Sequence, residues 1–208
     1  HRRLIVPQLG ASGVSAHDVR ERSGFKVTYG PVEARDLPAF LDGGLKAGPG
    51  MREKSFTLRE RSALVPIEIV HATRMLLMAL PVLLLLGGFA GRDGFFSGAV
   101  RYGLHDALGL TLGIFAGCLI TPLFLPWLPG RAFSCKGAAA GLACAVVALF
   151  FGTGLGFMES MAWLLLIPAV SSYLGMNFTG CSTFTSLSGV RKEMRAAVPA
   201  QIGAAATG

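Results

Sequence analysis

LIVPQLGASGVSAHDVRERSGFKVTYGPVEARDLPAFLDGGL, residues 4–45, reads as strand, loop, helix, strand, loop, helix. Leu4-Ile5-Val6 is a short apolar run closed by Pro7, the pattern of a parallel strand buried on both faces. A loop of small residues follows, Gln8-Leu9-Gly10-Ala11-Ser12-Gly13. The second strand, Phe25 to Tyr29, ends in Gly30-Pro31. In an open α/β sheet, ligands sit outside the carboxyl ends of the strands. Both loops fall at that end. The expected ligand wall is therefore Gly10, Ala11, Ser12 and Gly13 after the first strand, and Tyr29, Gly30 and Pro31 after the second. Glycines let a backbone come close to a bulky ligand. Gly10 and Gly13 resemble part of a dinucleotide fingerprint, but G-x-G-x-x-G is incomplete. A tight strand-to-helix turn and a ligand contact both fit the pair.

The helices between these strands carry their own signals. Ser15 is placed to cap the first, and Gly24 stands where a left-handed residue ends it near Ser23. The second starts near Asp36 with Pro38 in its first turn. Leu37, Phe40, Leu41 and Leu45 form the stripe expected to lie on a sheet. His17 is expected on a solvated helix face rather than on a metal. Two such strand–helix units are too few for a stable doubly wound domain. The sequence is accordingly expected to be part of a longer chain whose other strands precede His1.

Composition divides the chain. Its 208 residues carry a net charge of +7, and mean hydropathy is +0.56, with the apolar excess after Pro66. Residues 1–50 are expected to form the head. Residues 51–65 form a basic connector with an interfacial helix, and 66–208 a transmembrane domain of four spans and the start of a fifth. In the connector, Thr57-Leu58-Arg59-Glu60 fits a capping box, so a helix begins at Leu58. Glu68, His71 and Arg74 recur every three residues in the inner half of the first span. They can sit at the interface, or form a face that docks the head. Gly109, Gly113 and Gly117 repeat every four residues in the second span, and Gly137 and Gly141 in the third, as close helix approach requires.

Charge sets a topology. Arg52, Lys54, Arg59 and Arg61 precede the first span, Arg131 and Lys136 separate the second and third, and Arg191, Lys192 and Arg195 follow the fourth. The positive-inside rule puts these, and the head, in the cytoplasm, with the spans in the cytoplasmic membrane. No basic stripe with interleaved aromatics occurs, which argues against nucleic acid. Cys118, Cys135, Cys144 and Cys181 lack the spacing of a zinc or iron–sulfur site. Cys135 and Cys181 fall near the cytoplasmic side, where thiolates could relay a soft ion such as Hg(II). Incidental small residues are the competing reading.

Four stretches carry a resemblance: LIVPQLGASGVSAH at 4–17, FKVTYGPVEARDLPAFL at 25–41, FTLRERSALVPIEIV at 56–70 and MNFTGCSTFTSLSGVRKEMRAAVPAQ at 176–201. Together they resemble the membrane-bound corrinoid protein family of microbial mercury methylation. The first two are also similar to the corrinoid-binding domain of the corrinoid iron–sulfur protein of the acetyl-CoA pathway. The resemblance implies a partial α/β Rossmann-like corrinoid-binding head joined to an all-α transmembrane helix bundle. It implies a corrinoid-dependent methyltransferase with a cobalamin-like cofactor, which passes a cobalt-bound methyl group to Hg(II). A ferredoxin-like iron–sulfur partner would re-reduce the cobalt, and a separate methyl donor protein would reload it. The Gly10–Gly13 and Tyr29–Pro31 turns then become the rear wall of the corrinoid site, with no catalytic residue among these 208. The family's Trp-Cys-Ala signature does not occur, since Trp127 and Trp163 are each followed by Leu. It is expected before His1. A methyl carrier of the acetyl-CoA pathway, or a membrane scaffold without chemistry, are the competing functions.

Overall fold

The computed structural model describes residues 2–55, 57–91, 94–151, 156–181 and 187–207, without the side chains of residues 12, 179–181 and 187. The chain divides into two compact units, His1–Phe56 and Thr57–Gly208.

In the first unit, strand β1 (Arg3–Val6) pairs in parallel with β2 (Lys26–Tyr29), in the register Arg3↔Lys26 to Val6↔Tyr29. The connection is helix α1 (Ala16–Ser23). The Ser15 hydroxyl accepts from the Asp18 N–H at 3.3 Å, and Gly24 ends the helix at φ 69°. Helix α2 (Leu37–Asp42) has Pro38 in its first turn.

The Rossmann-like head expected from the sequence is not what forms. Among the described residues the sheet has two strands of four residues each, with no layered helices over both faces. Leu4 stays 42% exposed and Ile5 37%, so β1 is not the doubly covered strand its apolar run suggested. The α2 stripe also fails. Only Phe40 is buried, while Leu37 and Leu41 are exposed. Leu45 lies beyond the helix end, at a left-handed φ of 65°. The physical reason is shared. An apolar run buries only where a second layer exists to cover it, and two strands provide no such layer.

The second unit is helical: α3 (Leu58–Ala90), α4 (Phe95–Leu123), α5 (Phe133–Phe150), α6 (Phe157–Cys181) and α7 (Leu187–Thr207). Four of these segments, Leu58–Ala90, Phe95–Leu123, Phe133–Phe150 and Phe157–Phe178, are long and apolar enough to cross a membrane, as in a membrane protein. Helix α7 occupies the stretch where the sequence suggests the start of a fifth span, and carries Arg191, Lys192, Glu193 and Arg195 in its first half.

The capping box opens α3: Thr57 Oγ1 accepts from the Glu60 N–H, and the Thr57 N–H donates to Glu60 Oε2 at 2.9 Å. Helix α4 widens into π-turns at Ala99–Gly103 and Ala116–Ile120. At the second, Pro122 lacks an N–H and the buried Thr121 hydroxyl donates to the Ala116 carbonyl at 2.8 Å.

Small residues set the helix spacing. A Cβ on Gly137 would sit 2.5 Å from the Ser171 carbonyl oxygen, and one on Gly141 2.7 Å from Ser171 Cβ. The Ser171 hydroxyl donates to the Gly137 carbonyl at 2.7 Å, which joins α5 to α6. Gly109, Gly113 and Gly117 of α4 lie on Trp163, Val170 and Leu174 of α6. One end of the bundle is tied by polar bonds. The buried Arg61 Nη1 donates to the Pro122 and Leu123 carbonyls at 3.2 and 3.3 Å, where α4 ends. Glu193 Oε1 accepts from the Ser134 N–H at 2.6 Å, in the first turn of α5. The starts of α3, α5 and α7 and the end of α4 therefore share that end.

Gly137→Ala should cost about 1–3 kcal/mol of bundle stability, as over-packing does. Gly203→Ala, where a Cβ meets nothing within 4 Å, should instead be neutral or stabilising by up to about 1 kcal/mol. Unfolding midpoints in one detergent compare the two variants. Equal midpoints would show that glycine spacing does not hold α5 on α6.

Candidate functional site

The site is built at the carboxyl ends of β1 and β2, within the first unit. After Val6, Pro7 turns the chain into a 3-10 turn, Gln8–Ser12. The Gly10 N–H donates to the Pro7 carbonyl at 2.9 Å. The Gly10 carbonyl accepts from Gly13 and Val14 at 3.0 and 2.9 Å. The turn is closed by its own backbone, which leaves few groups to water or ligand.

Tyr29 brings the two turns together. Its hydroxyl donates to the Val14 carbonyl at 2.7 Å, from the last residue of β2 to the end of the first loop. Beside it the Gly30 N–H donates to the Val6 carbonyl at 2.8 Å, extending the parallel ladder by one step.

The candidate residues differ in what they offer. Ala11 and Gly13 are exposed, and Gly10 is half-buried. A Cβ on Gly13 would meet only the Gly10 carbonyl, at 3.9 Å, so its outer side is open. A Cβ on Gly10 would lie 3.0 Å from Val6 Cγ1, which makes this glycine a packing residue. The Ser12 side chain lies outside the described residues. Gly30 and Pro31 are buried. At Gly30 a Cβ would lie 2.9 Å from Ile5 Cγ2 and 3.7 Å from the Phe40 ring, so that glycine makes room for the unit's own side chains.

A corrinoid fits this arrangement at its edge only. Ala11 and Gly13 present an open, side-chain-poor surface on which a flat macrocycle can lie. Neither turn carries a Cys or His, so neither supplies a cobalt ligand. His17 faces Glu21 at 3.5 Å, one turn along α1, with both side chains exposed. Among the described residues, no group of three or more His, Cys, Asp or Glu could hold a metal ion. What the site can do is bind and orient.

Sequence reading missed an ion-pair cluster in the same unit. Glu33 Oε2 meets Arg35 Nε at 2.6 Å, and Glu33 Oε1 meets Lys54 Nζ at 3.0 Å. Asp36, Gly50, Glu53 and Ser55 complete the rim of a cleft of about 310 Å3 there. The Glu33–Lys54 pair, with the Val32 N–H donating to the Met51 carbonyl at 2.9 Å, clips residues 51–54 to the turn before α2. Only the charge signs were visible in sequence, since Glu33 and Lys54 are 21 residues apart.

In the second unit, Cys135 is exposed in the first turn of α5, while Cys118 is buried and Cys144 half-buried. The Cys181 side chain lies outside the described residues. Of the triad on α3, the half-buried Glu68 accepts from Asn177 Nδ2 of α6 at 3.2 Å, while His71 and Arg74 are exposed.

No protein-family model, curated protein or solved structure matches the chain.

Tyr29→Phe should cost about 1 kcal/mol, the usual worth of one hydrogen bond. The loss should appear locally, as faster amide hydrogen exchange across residues 8–14 than in α1. Unchanged exchange there would mean that the Tyr29–Val14 bond does not hold the two turns together.

Proposed function

We propose that this protein is a membrane-anchored corrinoid methyltransferase that passes a cobalt-bound methyl group to Hg(II). One observation carries the reading. The two turns that bear the resemblance, Gly10–Gly13 and Tyr29–Pro31, lie side by side at the carboxyl ends of parallel strands, joined by the Tyr29–Val14 bond. A second support is the resemblance at residues 56–70 and 176–201, which from Thr57 onward falls in a unit with helices long enough to cross a membrane.

The corrinoid supplies the methyl–cobalt bond, and the protein positions it. Ala11 and Gly13 offer the surface for the macrocycle. Tyr29 fixes the loop that carries them, and Gly30 lets β2 lie close against β1 and Phe40, with Pro31 buried after it. A ferredoxin-like iron–sulfur protein that restores reduced cobalt, and a methyl donor protein, are the partners this chemistry requires.

The bundle serves as the anchor, in the cytoplasmic membrane with the first unit on the cytoplasmic side. In support, Arg59, Arg131, Lys136, Arg191, Lys192 and Arg195 all belong to segments at or near one end of the bundle.

A host carrying the gene should convert Hg(II) to methylmercury, and deleting the gene should abolish this. Restoring it as Gly13→Trp should recover less than about a tenth of the rate, because a misplaced reacting group is costly. A host that makes no methylmercury, or one undiminished by the deletion, would overturn the proposal. Orientation has its own test. With the other cysteines replaced by serine, an impermeant maleimide should label Cys135 in inverted membrane vesicles and leave it untouched in intact cells. The reverse pattern would put the basic end outside.

A further inference from the structure

The helices of the second unit are covered unequally. Only 6% of the most apolar stretch of α3 is buried, against 39%, 33% and 44% for α4, α5 and α6. The outer side of α3 carries Ile67, His71, Arg74, Met78, Pro81 and Leu85, all exposed. They follow one another in steps of four and three, the spacing along which one helix seats a second. Two of the six are ionisable.

Their depth makes that costly. Gly141, midway along α5, packs on Pro168 of α6. Ala169 and Val170 come next in α6, and line an apolar groove together with Ala72 and Met75 of α3. Arg74 is therefore level with the middle of the span. It stands about 200° round the helix from the buried Ala72, on the side away from the bundle. Arg61, which meets the end of α4, lies more than three turns back, about 20 Å along the axis. A side chain leaning back toward the headgroups does not cover that distance. An ionisable group so deep almost always meets protein or water rather than lipid. Among the described residues, His71 and Arg74 form no ion pair.

The carboxylates of the described bundle are placed elsewhere. Glu60 closes the capping box, Glu68 accepts from Asn177, and Glu193 accepts from the Ser134 N–H. Asp106 and Glu159 line a pocket beyond Gly109 and Trp163, toward the other end. A second copy of this chain would not answer the charge either. Across a two-fold seam Arg74 would face the other copy's Arg74, and like charges repel strongly where water is excluded.

We propose that the outer face of α3 seats a transmembrane helix of a different protein, one that carries an Asp or Glu at the depth of Arg74. The carboxylate pairs with the guanidinium, and Ile67, Met78 and Leu85 supply the apolar contact. The proposal rests on the bundle crossing a membrane. It does not rest on the methyl-transfer reading, since no residue of the first unit takes part.

Photo-crosslinking in the host that carries the gene tests it, with p-benzoylphenylalanine in place of Met78 in the full chain. Irradiated membranes should yield an adduct with another protein, joined at an apolar segment that contains a carboxylate. Arg74→Leu should lower the adduct about tenfold, as loss of one partner of a desolvated charge pair does, and Arg74→Lys should keep most of it. Arg74 is exposed, so these changes leave the packing of the bundle alone. Exchanging the two charges, Arg74→Glu with the captured carboxylate replaced by arginine, should restore the adduct. An adduct with lipid alone, with a second copy, or with a segment lacking a carboxylate would overturn the proposal. So would an adduct undiminished in Arg74→Leu. Labelling of neither lipid nor a membrane protein would contradict the crossing of α3 along with the proposal.

Discussion

Ser171 lies between Gly137 and Gly141, and its hydroxyl donates to the Gly137 carbonyl. That close approach of α5 and α6 is the constraint on which the helical unit depends. Lipid-facing apolar side chains give no net drive for helices to associate, because lipid is as apolar as they are. Backbone proximity and buried polar bonds must supply it instead. Helix α6 then presents Trp163, Val170 and Leu174 to the glycine face of α4. Its other neighbour, α7, meets it through Gln201 and Ser172. The same helix thus organises both a close glycine seam with α5 and one wall of an apolar groove.

Polar groups close the bundle at one end. Arg61 is buried, and its charge is met by the carbonyls that end α4. Glu193 does the converse at the start of α5, where free N–H groups face outward. Each charge sits at the helix end of opposite partial charge. A single set of interactions therefore satisfies the backbone at two helix ends and fixes which helices meet there.

Local chemistry was legible in the sequence, and layering was not. The Ser15 cap, the Gly24 stop, the Thr57–Glu60 box and the glycine steps at 109, 113 and 117 all depend on residues within one or two turns. Each appears as the pattern indicates. The head misled because Leu4-Ile5-Val6 and the Leu37–Leu45 stripe report a capacity to be buried, not the presence of a covering layer. Gly30 was visible as a glycine, but its reason, room for Ile5 and Phe40, needs the fold. Glu33–Lys54, Arg61–Pro122 and Gln201–Ser172 span 21, 61 and 29 residues, and no periodicity reveals such pairs. The candidate site was legible as two turns. The Tyr29–Val14 bond that joins them was not.

The proposed chemistry asks little of these side chains: an open edge at Ala11 and Gly13, held in place, and an anchor in the membrane. The most direct test is the visible spectrum and cobalt content of the protein as its gene encodes it, purified in detergent. A stoichiometric cobalt with corrinoid bands, or uptake of added hydroxocobalamin to that level, is the expected result. A colourless, cobalt-free protein that retains no hydroxocobalamin would contradict the corrinoid function and leave a membrane-anchored unit without this chemistry.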